Sequence, residues 1–326
     1  MGNRLEGKVA IVSGGGRGIG KSISKLLSTE GASILVNDKG SEVNGVGSSK
    51  HAADQTVAEI KSNGGEAVAN YDDVSTMEGG ENLIKTALNS YNRVDILINS
   101  VGSLRDQMIY QMEPDDFYSV VRNNAKSAFT ATKYASILFR QQRSGRIINM
   151  VSDSGLGDVG RSNYAAATEG IIGMTRTLAL DLGKYGVTAN AVSAMANTRL
   201  FPGLLEEQRI PMAPGPARDE RSGIGPTSPI LQWEGETSPD HPDNVAPLVV
   251  YLSTDQSPHV NGNVFGIRGG SIYLYSNPTT EKTVNKWGNF TMDEMDILFP
   301  KMIGKGFKKI YKPVINFKSK CGLKGD

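Results

Sequence analysis

The sequence contains few cysteines, few histidines and no long apolar run. Its only cysteine is Cys321, which excludes a disulfide framework and a cysteine-based zinc site. The three histidines, His51, His241 and His259, lie far apart and lack the spacing of metal ligands, so no metal site is predicted. No segment approaches the ~18 consecutive apolar residues that a membrane span requires.

The sequence also has no large excess of positive or negative charge. Lys and Arg number 35 against 34 Asp and Glu, which gives a net charge of +1. Nucleic-acid-binding proteins usually carry a basic surplus, so no nucleic-acid partner is expected. Residues 1–9 are polar and lack the apolar core of a signal peptide. Together with the lack of a predicted membrane span, this makes a cytoplasmic location the expectation.

Short β-branched runs alternate with longer helical patterns along most of the chain. The predicted strands are residues 9–13, 33–38, 67–71, 94–99, 146–151, 187–193 and 263–267. The predicted helices are residues 18–30, 52–62, 79–91, 114–142, 164–184 and 244–253. Continuous apolar strands separated by helices indicate a parallel sheet covered on both faces. The predicted fold class is therefore α/β, a doubly wound, Rossmann-type parallel sheet.

Two regions interrupt this alternation. Residues 201–242 contain eight of the 14 prolines, and a long irregular segment of this kind is often a functional loop, here predicted to be a substrate loop or lid. The tail from Lys301 onward carries eight lysines and a single aspartate. Such a tail is either a solvated basic segment or an element that binds an anion, for instance a CoA phosphate or an acidic partner.

The glycine-rich turn Ser13–Gly20 follows the first strand and opens the first helix. Gly14, Gly16, Gly18 and Gly20, with Arg17 and Ile19 between them, predict a turn whose backbone N–H groups approach a pyrophosphate. Asp38 ends the next predicted strand, 18 residues after Gly20, where a carboxylate accepts hydrogen bonds from an adenosine ribose. This carboxylate repels a 2′-phosphate, so NAD is favoured over NADP.

The same turn matches a second motif. Gly15, Gly20, Lys21 and Ser22 fit the phosphate-binding P-loop of NTPases. The dinucleotide interpretation is preferred because the glycine spacing fits it equally well, the turn lies at the first βα junction of a Rossmann pattern, and the downstream motifs fit a dehydrogenase.

These downstream motifs resemble the short-chain dehydrogenase/reductase family. The matching elements are the turn Ser13–Gly20, the run Asn99-Ser100-Val101-Gly102, and then Asn124, Ser152 and Tyr164, so that the likeness covers about residues 5–270. Residues 36–40, 45–47, 53–54 and 64–72 are similar to the (3R)-hydroxyacyl-CoA dehydrogenase units of type 2 peroxisomal multifunctional enzymes and their bacterial relatives. The predicted division is a dehydrogenase domain at 1–270 and a C-terminal extension at 271–326.

The resemblance implies a role for each matching residue. Asp72 contacts the adenine and is joined in the cofactor site by Asp73 and Val74, and Asn99 with Gly102 supports the cofactor. Asn124 holds a water in the proton relay. Ser152 binds the substrate oxygen, and Tyr164 transfers a proton while the nicotinamide transfers a hydride. The implied substrate is a CoA thioester or another bulky hydroxyl or keto compound, and the implied assembly is a homo-oligomer or a heteromer with a paralogous subunit.

One position departs from the family pattern. The family has a lysine four residues after the tyrosine, where it holds the nicotinamide ribose and lowers the pKa of the tyrosine; this chain has Thr168. Thr168 is nevertheless assigned to the cofactor site, although its side chain supplies no charge. Two hypotheses follow: an NAD-dependent oxidoreductase with a weakened proton relay, or an NAD-binding subunit with impaired catalysis that pairs with an active paralogue.

Overall fold

The structure is a computed structural model that describes residues 2–201, 238 and 240–307. Its larger unit, which ends at Ser276, contains one eight-stranded sheet in the order β3-β2-β1-β4-β5-β6-β7-β8. The strands are β1 Val9–Ser13, β2 Ser33–Asn37, β3 Ala67–Asn70, β4 Ile96–Asn99, β5 Gly145–Val151, β6 Val187–Met195, β7 Val264–Arg268 and β8 Ser271–Leu274. The first seven strands are parallel, and β8 is antiparallel to β7.

The strand order reverses at the centre of the sheet. The chain runs outward from β1 through β2 to β3 and then returns to place β4 on the other side of β1. Ser13, the last residue of β1, is in register with Asn37 of β2 and with Asn99 of β4. Ligands of doubly wound folds bind at the carboxyl ends of the strands beside such a reversal.

Helices pack on both faces of the sheet. They are α1 Gly18–Thr29, α2 His51–Ser62, α3 Met77–Tyr91, α4 Pro114–Val121, α5 Ser127–Gln142, α6 Ser162–Gly183 and α7 Ala246–Ser253. One core contains Ile23 of α1 and Val249 of α7, and the other contains Leu83 of α3 and Phe139 of α5. The doubly wound α/β prediction is confirmed.

The long helix predicted over residues 114–142 is interrupted in the structure. Between α4 and α5 the segment Arg122–Lys126 is a π-helix. The Asn124 amide nitrogen donates to the carbonyl of Val120 at 2.8 Å and to that of Ser103 at 3.0 Å. A side chain that takes a helical carbonyl and links it to another loop accounts for the wider turn.

The sheet continues past residue 270. Strand β8 was not predicted because Ser271–Leu274 is a short edge strand in which three of the four residues are exposed. The division of the chain at residue 270 stays a prediction. The loop or lid predicted for residues 201–242 lies, apart from residues 201, 238 and 240–242, outside the described residues, and so does the basic tail after residue 307.

The second unit is described from Asn277 to Phe307. Its helix α8, Met292–Leu298, begins with a capping box in which the Thr291 hydroxyl accepts from the backbone N–H of Glu294. Lys286 forms an ion pair with Glu294 at 2.6 Å. Across the described part of both units, no helix combines the length and the apolar character needed to cross a membrane.

Candidate active site

The glycine turn between β1 and α1 is shaped by close backbone packing. Gly14 has a φ of +77°, and a Cβ at this position would lie 2.6 Å from the carbonyl oxygen of Ser100. Gly18 also has a positive φ, at +50°. The carbonyl of Asn37 accepts from the N–H groups of Gly14 and Gly15 at 2.8 and 2.9 Å. Glycine is required here because side chains would both strain the backbone and fill the space beside β4.

The first turn of α1 is free of groups that would compete with an anion. Arg17 occupies the N-cap position without a side-chain hydrogen bond to the helix, and the first turn contains no acidic residue. Gly18, Ile19 and Gly20 line a cavity with this turn. Exposed N–H groups and the helix dipole favour a phosphate at such an end, so the residues present fit the pyrophosphate of a dinucleotide.

This cavity has a volume of about 290 Å³ and lies at the carboxyl ends of the strands. It brings together most of the residues predicted from the sequence: Gly14, Arg17, Gly18, Ile19, Gly20, Asp38, Asp72, Asp73, Val74, Gly102, Asn124, Tyr164 and Thr168. Gly16, Asn99 and Ser152 are absent from its lining.

Asp38 is held in place by the backbone on both sides of β2. One carboxylate oxygen accepts from the N–H of Gly16 at 3.1 Å, and the other accepts from Gly40 at 2.7 Å. A Cβ on Gly16 would lie 2.7 Å from Asp38 Oδ2, so this glycine serves the carboxylate rather than the cavity wall. Each carboxylate oxygen keeps further lone-pair capacity for ribose hydroxyls.

Two arginines lie near Asp38. Arg17 donates to the carbonyl of Ser41 at 3.2 Å, and Arg199 lines the same cavity. Burial and the charge of Arg17 lower the pKa of Arg199, against the opposing effect of Asp38. This end of the cavity therefore places two guanidinium groups near the Asp38 carboxylate.

The residues after β3 form a polar network at the edge of the cavity. The Asn70 amide donates to Asp72 at 2.7 Å. Lys39 forms an ion pair with Asp73 at 2.9 Å. Although burial raises the pKa of Asp73, hydrogen bonds from Ser75 and Lys39 outweigh it and hold that pKa below its usual value. Lys39 is thus engaged by Asp73, one residue away from the carboxylate predicted to select NAD.

Asn99 points into the protein interior instead of into the cavity. Its amide nitrogen donates to Thr132 Oγ1 at 3.0 Å and to Asn149 Oδ1 at 2.8 Å, and this ties β4 to α5 and β5. Its own Oδ1 is buried without a hydrogen-bond partner among the described residues. The geometry makes Asn99 a support of the cavity floor and gives it no direct contact with the cavity.

Asn124 is buried and lines the cavity from the π-helical segment. Its amide joins this segment to the loop after β4, because it donates to Ser103 and accepts weakly from the Ser103 N–H at 3.4 Å. A Cβ on Gly102 would lie 3.3 Å from Asn124 Oδ1. The irregular helix is what places this side chain at the cavity.

Tyr164 and Thr168 lie one turn apart on α6 and are 9% and 2% exposed. Burial raises the pKa of Tyr164 to about 12, although a hydrogen bond with Ser152 and the charge of Arg161 act to lower it. The carboxylates of Asp106 and Asp158 raise it further. The phenol is therefore neutral at pH 7, and residue 168 contributes no positive charge to change this.

Ser152 directly follows β5 and lines a second, smaller cavity of about 50 Å³. Its hydroxyl donates to Ser154 Oγ at 3.2 Å and accepts from the Ser154 N–H at the same distance. Ser154, Asp158 and Arg161 line the same cavity. Ser152 thus connects Tyr164 to a polar cluster that sequence reasoning did not predict.

Glu169 does not act on the tyrosine. Its side chain is exposed, and its Oε1 would lie 2.6 Å from a Cβ placed on Gly155. It is not among the charges that shift the pKa of Tyr164. The negative charges that do so come from the loop after β4 and the loop before α6.

The P-loop interpretation conflicts with the direction of Lys21. Its ammonium group forms an ion pair with Glu59 of α2 at 2.6 Å, and it does not line the cavity. A P-loop lysine has to reach the β- and γ-phosphates. The geometry of the turn therefore favours the dinucleotide interpretation.

Sequence reasoning also missed several residues of the larger cavity. They are Ser103 and Asn123, which follow or face β4, and Thr198, Arg199, Leu200 and Phe201, which follow β6. The rule that ligands bind beyond the carboxyl ends of parallel strands was the available signal for the group after β6.

Comparison with known proteins shows the family of the chain. The family model for short chain dehydrogenases matches residues 8–204. The chain is 36% identical over 270 residues to 3-oxoacyl-[acyl-carrier-protein] reductase from Synechocystis sp., covering 82% of this chain and 98% of that protein. It is 33% identical over 270 residues to peroxisomal multifunctional enzyme type 2 from Mus musculus, covering 82% of this chain but only 32% of that protein.

A solved structure shows the same relationship. A short chain dehydrogenase from Mycobacterium avium superimposes with a TM-score of 0.76 at 32% identity, covering 92% of this chain and 96% of that one. The chain is therefore a Rossmann-type oxidoreductase by fold and relatives. It belongs to the short-chain dehydrogenase/reductase family, and the resemblance inferred from the sequence, including that to the type 2 multifunctional enzymes, is confirmed. Members of this family typically use a nicotinamide cofactor.

Proposed function

We propose that the protein is an NAD-dependent oxidoreductase that interconverts a hydroxyl and a keto group on a 3-hydroxyacyl-CoA-like or other bulky substrate. The observation that carries this proposal is one cavity that joins the uncapped glycine turn and Asp38 to the buried phenol of Tyr164. A cofactor bound along this cavity supplies hydride transfer. Its pyrophosphate would be held by the α1 N-terminus, and its ribose by Asp38.

The protein residues supply binding and proton transfer. Ser152 binds the substrate oxygen, and its hydrogen bond with Tyr164 places the phenol beside that oxygen. Tyr164 accepts the hydroxyl proton during oxidation and returns it during reduction. Asn124 holds the loop after β4 against the π-helical segment. The side chain that is proposed to hold a water in the proton relay is therefore buried and fixed in position.

An acyl thioester substrate is supported by the name of one relative and by the resemblance of the sequence motifs. The Synechocystis protein is a 3-oxoacyl-[acyl-carrier-protein] reductase, and the mouse protein is a peroxisomal multifunctional enzyme. The first acts on an acyl group carried on a protein, and the sequence motifs resemble (3R)-hydroxyacyl-CoA dehydrogenase units. A cytoplasmic location and an oligomeric assembly belong to the same proposal and rest on the sequence alone.

The second candidate function is an NAD-binding subunit with impaired catalysis that pairs with an active paralogue. The observation that favours it is the Tyr164 pKa of about 12 with Thr168 beside it. At pH 7 only about one phenol in 10⁵ is ionised at such a pKa. A site of this kind would still bind its cofactor, but almost none of its Tyr164 side chains would be in the phenolate form that accepts a proton.

A substrate panel tests the main proposal. NADH formation is measured with 3-hydroxyacyl-CoAs of increasing chain length and with small free alcohols, using the wild-type protein and Tyr164→Phe. We expect turnover of the thioesters, at least a hundredfold loss in Tyr164→Phe, and unchanged NADH binding by fluorescence. Preference for small alcohols contradicts the substrate class. NADH binding without any turnover favours the impaired subunit.

A further inference from the structure

The polar cluster behind Ser152 forms an ordered chain of hydrogen bonds. The Ser152 hydroxyl donates to Ser154 Oγ at 3.2 Å, and the Ser154 hydroxyl donates to Asp158 Oδ2 at 2.8 Å. Tyr164 is hydrogen-bonded to Ser152 at the start of this chain. Each link joins one hydroxyl to the next oxygen atom, and because hydroxyl groups rotate, such a chain can carry a proton outward.

The chain begins in the protein interior and ends near solvent. Ser154 is 5% exposed, whereas the side chain of Asp158 is 21% exposed. Arg161 holds Asp158 at 2.8 Å and Asp106 at the same distance. Burial lowers the pKa of Arg161, but its bonds to these two carboxylates outweigh this effect and raise it, so the arginine stays charged.

We propose that Ser154 and Asp158 form a proton exit path for Tyr164, which serves a site whose family lysine is replaced by Thr168. This proposal rests on the proposed function. It assigns no direct contact with substrate to either residue: both act through Ser152 and Tyr164. Thr168 cannot carry a charge, and this second route reaches water through the partly exposed side chain of Asp158.

The transfer balances for oxidation of an alcohol. The carbinol carbon loses a hydride, with two electrons, to an oxidised nicotinamide dinucleotide, and the C–O bond becomes a carbonyl. The hydroxyl proton goes to the phenolate oxygen of Tyr164. Tyr164 then gives a proton to Ser152 Oγ, Ser152 gives its own to Ser154 Oγ, and Ser154 gives its own to the Asp158 carboxylate, which releases it to water. Reduction runs the same path inward.

A matched pair of variants tests this path. Asp158→Asn and Asp106→Asn each remove one carboxylate that contacts Arg161 and raises the pKa of Tyr164. If charge alone mattered, both variants would oxidise alcohol as fast as wild type or faster. The path predicts divergence: Asp158→Asn loses at least tenfold in kcat for oxidation, and Asp106→Asn does not fall below wild type.

Ser154 provides the second pair. Ser154→Ala breaks the chain and is expected to lose at least tenfold in kcat, whereas Ser154→Thr retains a hydroxyl and is expected to retain most of the rate. KM and NADH binding by fluorescence stay within about twofold in all variants if cofactor and substrate sites are intact. Added formate, which is small enough for the 50 Å³ cavity, should restore part of the rate of Asp158→Asn in proportion to its concentration.

The outcomes separate this proposal from the proposed function. Equal oxidation rates for Asp158→Asn and Asp106→Asn overturn the proton path while the dehydrogenase stands. Failure of formate to restore any rate, with equal losses in Ser154→Ala and Ser154→Thr, also overturns it, because the cluster then only supports the loop. Absence of turnover in the wild-type protein with every member of the substrate panel overturns both.

Discussion

Residue 168 offers the most direct test of the reaction chemistry. Thr168 is buried one turn after Tyr164 on α6, and both side chains line the same cavity. A lysine in its place would put a positive charge about 4 Å from the phenol oxygen, which is worth roughly 4 kcal/mol at an effective dielectric constant of about 20. That energy corresponds to about 3 pKa units.

The expected gain follows from the ionised fraction of the phenol. With a pKa of about 12, roughly one Tyr164 side chain in 10⁵ is ionised at pH 7. A shift of about 3 units raises this fraction about a thousandfold, which is the ceiling for the gain in oxidation rate of Thr168→Lys. Solvent screening and the neighbouring Asp158 and Asp106 reduce it, so at least tenfold is expected.

The dependence of the oxidation rate on pH shows whether a charge at residue 168 acts by lowering the pKa of Tyr164. Below its pKa, the phenolate fraction of Tyr164 grows tenfold with each pH unit, so the wild-type oxidation rate should rise steadily from pH 7 to 10. The rate of Thr168→Lys should level off at a lower pH than that of wild type, and at about pH 9 if the full shift of about 3 pKa units is reached. Thr168→Met, which matches the bulk of lysine without its charge, is the control. Equal rates for the Lys and Met variants across this range would refute the electrostatic reasoning.

Two further predictions concern the cofactor end of the cavity. Asp38→Ala should tighten NADPH binding at least tenfold relative to NADH, because Arg17 and Arg199 remain beside the vacated position; a fluorescence titration measures the ratio, and an unchanged ratio contradicts the assignment of Asp38. Lys21→Ala should leave NADH binding within about twofold, since Lys21 pairs with Glu59 outside the cavity. An ATP hydrolysis activity that disappears in Lys21→Ala would instead support the P-loop interpretation.

The fold could be predicted from the sequence because hydrophobic pattern and turn chemistry agree along the chain. The strand Val9–Ser13 is fully buried and is followed by glycines that the backbone geometry requires. Each predicted strand from residue 9 to residue 267 is present within one or two residues at its ends. Parallel strands buried on both faces produce such continuous apolar runs, whereas the exposed edge strand Ser271–Leu274 does not.

Local sequence could not show the π-helical turn. The run Arg122–Lys126 looks helical, and the reason for the irregularity is a contact with Ser103, about twenty residues earlier. Asn99 shows a similar effect, because its amide nitrogen donates to Thr132 and Asn149, and its assignment to the cofactor site stays a prediction. In both cases a tertiary hydrogen bond decides where a motif residue points.

The cluster of Ser154, Asp158 and Arg161 was beyond prediction for a different reason. These residues look like an ordinary polar loop between β5 and α6. Only the placement of Ser152 and Tyr164 on neighbouring elements brings the loop close to the phenol that we propose transfers a proton. The function of such a cluster depends on the distances and orientations of its side chains in the folded protein, which the spacing of residues along the chain does not reveal.

In the proposed reaction, the raised pKa of Tyr164 affects both directions. Reduction uses the neutral phenol, which predominates at all pH values below about 12, whereas oxidation uses the rare phenolate. The ratio of kcat/KM in the two directions is nevertheless fixed at any pH by the overall equilibrium, so a missing charge cannot turn the site into a reductase alone. The neutral phenol is always available but is a weak acid, and the phenolate is a strong base but scarce. In the proposed reaction, the absence of a positive charge at residue 168 therefore slows both directions by the same factor, and any group that moves the proton to and from Tyr164 faster benefits both.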